Sequence, residues 1–224
     1  MTHNGDKFVR VYDHSRTIKD SELHVVFAEA PKSGDFSSVQ ELLDDIFDHP
    51  ENSTIYERDG FGRPFFQRGT VGLAMYRSHD TLITVLARST NIAVGAHPVP
   101  SRVTDDILLP FSQEERDFID TVSLRCRARW VARLWARKEA ALRLDGPGSL
   151  GLAAETNTLL GGALDGTVTL PPAPSGLNGV STAYVHDIAS HPEPIAAAVD
   201  THISTVYAWY PNRTGTVHHI PSHN

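Results

Sequence analysis

"LWARKEAALRLDGPGSLGL", residues 134–152, decides how the second half of this chain is read. Ala, Leu, Arg, Lys and Glu, strong helix formers, fill nearly every position until Gly146-Pro147-Gly148 stops the run, so the spacing predicts a helix ending there. Counted in steps of three and four, Val131, Leu134, Trp135, Lys138, Ala141 and Leu142 share one face, and Glu139 lies beside it. Two charges therefore stand on or next to an apolar seam. The plain expectation is that both reach out to water, with Glu139 and Arg143 forming an i,i+4 surface pair worth about 0.3 kcal/mol.

Working back from this helix, "PFSQEERDFI" (residues 110–119) has Ser112 followed three residues later by Glu115, a capping box that opens a second helix. Before it, "HPVPSRVTDD" (residues 97–106) is a proline-punctuated connector. "VGLAMYRS" and "HDTLITVLARSTNIAVGA" (residues 71–96) read as strands, broken at His79-Asp80 and again near Ser89 to Asn91. "DGFGRPFF" (residues 59–66) is a loop whose glycines let the backbone approach something closely. "SSVQELLDDIFDH" (residues 37–49) predicts a helix with Val39, Leu42, Leu43 and Ile46 on one face, and "LHVVFAEA" (residues 23–30) a buried strand. Beyond the Arg-rich helix, strands and breaker-rich loops alternate. The expected architecture is α/β, of the α+β kind: two lobes, each a small sheet packed on a helix. The boundaries expected are 1–98 for the first lobe, 99–212 for the second and 213–224 for a tail.

Composition narrows the function. With 27 acidic residues against 20 Lys and Arg, a formal charge of -7 argues against nucleic-acid binding as the main role. The basic residues nevertheless gather at Arg125, Arg127, Arg129, Arg133, Arg137, Lys138 and Arg143, as either a solvated helix face or a patch for an acidic partner or a phosphate. A single cysteine, Cys126, cannot make an intrachain disulfide, which suits a cytoplasmic location. No apolar run is long enough to span a bilayer, and the start of the chain lacks a signal-peptide core, so no membrane partner is expected. The twelve histidines are scattered, and His218-His219 reads as tail rather than metal site.

The helix "LWARKEAALRLDGPGSLGL" resembles the signature W-x-x-K-E-A-x-x-K of the surfactin-type 4′-phosphopantetheinyl transferases, including the Gly-rich exit. Other segments follow in the family's order: "FGRPFF" is similar to its G-K-P loop, "YRSHDTL" to its F-N-x-S-H-S strand end, "PFSQEERDFI" to its F-F-S-x-x-E segment, and "AYVHDIASHPEPIAAAVD" to its closing strand pair. The resemblance covers residues 23–210 or so. It implies a pseudo-twofold monomer that binds coenzyme A between two lobes and moves its phosphopantetheine arm to a carrier-protein serine with Mg²⁺, which takes up charge on the pyrophosphate. Carried over by position, Glu139 matches the helix ligand of the metal, Arg63 the phosphate-contacting Lys of the loop, and His79 the nucleotide-contacting His. Lys138 and Arg143 match the two signature lysines, as further coenzyme A contacts.

The resemblance breaks where the family has G-I-D-I-E. This chain reads "GAHPV" at residues 95–99, with His97 for the Asp and Val99 for the Glu. Imidazole is a poor Mg²⁺ ligand and valine is none. Asp105 and Asp106 are the nearest carboxylates that follow. Upstream, the family's phosphate-gripping basic helix is replaced by the acidic "QELLDDIFDHPE" (residues 40–51), which would repel coenzyme A.

Three functions are compatible with these residues. The favoured expectation is a repurposed enzyme needing no cofactor, in which His97, Glu139 and His79 do acid/base chemistry on a small metabolite or a carrier-bound chain: cyclisation, dehydration or isomerisation without redox. The second is a working transferase using coenzyme A and Mg²⁺, with the metal on Glu139 and Asp105 or Asp106. The third is a non-catalytic module that binds an acyl or peptidyl carrier protein.

Overall fold

In the computed structural model, residues 17–30, 43–44, 56–58, 64–66, 71–89, 91–172, 179–188, 193–210 and 216–221 are described. The chain divides into two compact units, the first running to Arg88 and resuming at Ile203, the second spanning Ser89 to His202.

The first unit contains β1 (Glu22–Glu29), β2 (Tyr56–Arg58), β3 (Pro64–Phe66), β4 (Gly72–Ser78) and β5 (Thr81–Ala87). β2 and β3 pair with each other. The main sheet has five strands in the order β11-β10-β1-β5-β4, where β10 is Thr205–Tyr210 and β11 is Thr216–Pro221. β1 sits at its centre, parallel to β10 and antiparallel to β5. Residues Glu22 to Phe27 of β1, His24 among them, are buried irrespective of which face they point to, so apolar residues do not alternate with polar ones along it. Val26, Leu73, Leu82, Leu86 and Trp209 form a core with Leu43, whose neighbour Asp44 is also helical. The rest of the helix expected at residues 37–49 lies outside the described residues.

The second unit contains β6 (Ile92–Ala96), α1 (Asp105–Leu108), α2 (Gln113–Thr121), α3 (Leu124–Arg143), two 3₁₀ segments (Pro147–Glu155 and Leu160–Gly162), β7 (Asp165–Thr169), β8 (Thr182–Ile188) and β9 (Ile195–Val199). Its sheet runs β6-β9-β8-β7, antiparallel throughout. The capping box at Ser112 and Glu115 is formed in both directions. α3 lies on the sheet through small residues, Ala136, Ala140 and Ala141 against Ala93, Ala183, Ala196 and Ala198. Alanines on both surfaces let helix and strand backbones come near each other. At Gly95 the approach is closest, since a Cβ there would stand 2.3 Å from the Ala136 carbonyl oxygen and 2.9 Å from the Glu139 Cβ.

The class is therefore mixed α and β with two principal sheets. The boundaries differ from the expected 98/99 and 212/213 divisions. β6, read as the end of the first lobe, pairs with β9 in the second unit, while β10 returns to the first. Residues 216–221, expected in a tail, form β11, with His218 and His219 opposite Ala208 and Tyr207. Backbone pairing across such sequence distances leaves no local pattern to read. Among the described residues no helix is long and apolar enough to cross a membrane.

Candidate functional site

The close contact at Gly95 brings the end of β6 against the last turns of α3, and chemistry-bearing side chains meet there. Glu139, with 13% of its side chain exposed, accepts a hydrogen bond from the Ala96 N–H at 3.2 Å through Oε2. Its Oε1 lies 2.7 Å from Nη2 of Arg143, whose side chain is 39% exposed. The i,i+4 pair expected from the sequence is formed, with Arg143 at the surface and Glu139 mostly buried. Burial raises the Glu139 pKa above the usual carboxylate range; the Arg143 charge, the Ala96 N–H and the nearby His97 oppose that rise.

His97 is the first residue beyond β6. Its backbone N–H donates to the Pro194 carbonyl, and its ring meets Trp135 edge to face at 5.9 Å. Nδ1 lies 2.9 Å from the Pro98 carbonyl oxygen. A carbonyl only accepts, so Nδ1 carries the proton in the neutral ring, and Nε2 is left with the basic lone pair. A carboxyl whose pKa burial raises and an imidazole with a directed lone pair thus share one end of the second unit.

Lys138, expected among the coenzyme A contacts, does not belong to this group. Its side chain is fully buried, and Nζ reaches Glu115 Oε2 at 2.7 Å, the Ala153 carbonyl at 2.7 Å and the Thr156 carbonyl. Its three donors are thereby used. Burial lowers its pKa, opposed by the Glu115 charge and hydrogen bond. The expectation that it reaches water fails because a fully buried carboxylate, Glu115, stands across from it on α2.

The Arg-rich patch is likewise smaller than expected. Arg137 is fully buried, holding both oxygens of Asp187 at 2.8 Å from Nε and Nη2 and donating to the Thr158 carbonyl at 2.9 Å. Arg133 pairs with the same Asp187. Arg125 and Arg129 stay exposed, while Arg127 lies 3.7 Å from Asp120.

The remaining expected site residues fall elsewhere. Arg63 lies outside the described residues. His79 belongs to the first unit, exposed in the two-residue turn between β4 and β5 with φ of 49°, and its carbonyl accepts from Arg77. Asp105 and Asp106 are exposed in the first turn of α1. Among the described residues no group of three or more His, Cys, Asp or Glu is arranged to hold a metal ion. The donor set at Glu139 fits Mg²⁺ poorly in its own right: one carboxylate already engaged by an arginine and a backbone N–H, an imidazole, and the half-exposed, donor-free Val99.

Sequence reasoning missed the partners of the buried charges. Arg137 follows Leu134 by three residues and precedes Ala141 by four, so its place on the inner face was legible, but Asp187 on a distant strand was not. It also missed His186, a buried histidine of β8. No family model matches this chain, and no curated protein sequence matches it.

Proposed function

We propose that the chain has a 4′-phosphopantetheinyl-transferase-like fold whose site has been turned from metal-dependent transfer to acid/base catalysis on a small or carrier-bound metabolite. The resemblance of residues 134–152 supports the fold. The observation that carries the chemistry is the half-hidden Glu139 carboxyl beside His97, with its pKa raised by burial. His97 Nε2 would take a proton from the substrate, and the protonated Glu139 would deliver one to the group that leaves or is reduced in bond order, so that the proton count closes without a redox partner. Arg143 would hold the Glu139 carboxylate after it has given its proton. Cyclisation, dehydration and isomerisation all meet this description.

A host that makes the metabolite tests the reading. His97→Ala or Glu139→Gln, with the protein still present at normal level, should accumulate the unprocessed precursor; undiminished product from both variants overturns the proposal. A transferase reading draws support from the retained Glu139 and Arg143 of the signature. It predicts that apo carrier protein incubated with this protein, coenzyme A and Mg²⁺ gains one phosphopantetheine by mass spectrometry, and that Glu139→Gln abolishes the gain.

A further inference from the structure

His186 lies apart from the Glu139 site. It is 5% exposed on β8, and neither ring nitrogen has a hydrogen-bond partner among the described residues. An unpaired buried polar group of this kind destabilises the closed form. Its surroundings are nonetheless charged. In the β7–β8 pair His186 stands opposite Asp165, and one step along the Asp187 N–H donates to the Leu164 carbonyl at 2.7 Å. Asp165 and His186 therefore form a non-hydrogen-bonded pair, the position where side chains on neighbouring antiparallel strands come closest.

Among the described residues, the other neighbouring elements bring little to neutralise a cation. β9 places Ala197 opposite His186. His202, after β9, lies edge-on to Tyr184 at 5.7 Å and acts on His186 as a second positive group. Asp187, next on β8, points to the α3 side, where Arg137 and Arg133 hold it. Among the described residues, Asp165 is thus the one facing carboxylate that those arginines do not engage.

We infer that His186 is an acid-sensing group whose protonation opens the edge strand β7 from β8. A cation formed at His186 needs water, which reaches the ring when β7 lifts, whereas the Asp165 charge, itself on β7, favours the cation in the closed state. β7 is the strand able to yield: among the described residues it pairs with β8 alone, and Val168 is its one buried residue. Burial already holds the His186 pKa below the ordinary histidine range; Asp165 opposes that shift and His202 adds to it. With the closed-state pKa depressed, the open form binds one more proton once the pH falls below about 6.5. The opening equilibrium then rises by up to about tenfold per pH unit until the closed-state pKa is reached.

Histidine-ring NMR and amide exchange on the full-length protein between pH 7.5 and 5 provide the test. His186 should titrate below 6.5, and the Gly166 and Val168 amides, corrected for intrinsic exchange, should lose protection by up to about tenfold per pH unit. His186→Leu should abolish that dependence. Asp165→Asn, which keeps the histidine but removes the opposing carboxylate, should extend it to lower pH. A His186 ring that titrates at or above 6.5, or the same pH dependence of β7 protection in His186→Leu, overturns the inference. Should the leucine variant not fold, the wild-type titration and Asp165→Asn still decide it.

Discussion

Lys138 Nζ lies 2.7 Å from Glu115 Oε2, with neither side chain exposed, and this contact locks α2 to α3. The same carboxylate closes the capping box by accepting the Ser112 N–H at 2.9 Å, and its other oxygen accepts from the Thr158 N–H and hydroxyl. Glu115 is therefore a cap and a buried counter-ion at once. Ser112→Ala removes only the capping hydroxyl and should cost about 1 kcal/mol in urea unfolding. Lys138→Met leaves the Glu115 charge buried without its cation and should cost about 3–5 kcal/mol. Equal losses for the two variants would mean that Glu115 serves the helix end alone.

Asp187 joins β8 to α3 through two arginines. Asp187→Asn would leave Arg137 fully buried without a counter-charge, and unfolding should show a loss of about 3–5 kcal/mol. Arg137→Lys should also destabilise the fold, because an ammonium cannot span both carboxylate oxygens and the 158–163 carbonyls together. Wild-type stability in the lysine variant would show that charge alone matters there.

Gly95→Ala places a methyl, fixed to the β6 backbone, 2.3 Å from the Ala136 carbonyl oxygen of the α3 backbone. β6 and α3 must separate, at a cost of about 1–3 kcal/mol. The move should also break the Ala96–Glu139 hydrogen bond. Faster amide exchange at Ala96 in a variant that still folds would report it, and unchanged protection would contradict the positioning role given to Gly95.

Glu139 makes a prediction about pH. Burial raises its folded pKa above the unfolded value, so in the window that begins at the ordinary carboxylate pKa the folded state binds more protons than the unfolded one. This group's contribution to stability is full below that window and falls as pH rises through the folded pKa. Glu139→Gln should flatten that part of the pH–stability curve. Parallel curves for wild type and variant, measured by urea unfolding from pH 4 to 7, would count against a raised pKa.

Much of the second unit was legible in its helices. The apolar stripe of α3 is the buried one, as Val131, Leu134, Ala141 and Leu142 show, and the Ser112–Glu115 box opens α2 where the spacing placed it. The break at His79-Asp80 is the β4–β5 turn. The candidate site was legible in part: spacing set Glu139 beside the stripe and Arg143 one turn on. It did not show that Lys138, on the stripe itself, is a structural ion committed to Glu115, because a buried charge is identified only with its partner, and that partner lies on another helix.

Local order along the chain determined the helices, their caps, the turns and the apolar faces, since each depends on residues within about four positions of one another. Tertiary structure alone decided which strands share a sheet, which lobe receives β6 and β10, and which charges are neutralised inside. Strand pairing joins Leu23 to Val206 through backbone groups common to all residues, and ion pairs join Arg137 to Asp187 through space, so neither leaves a periodic trace in the sequence.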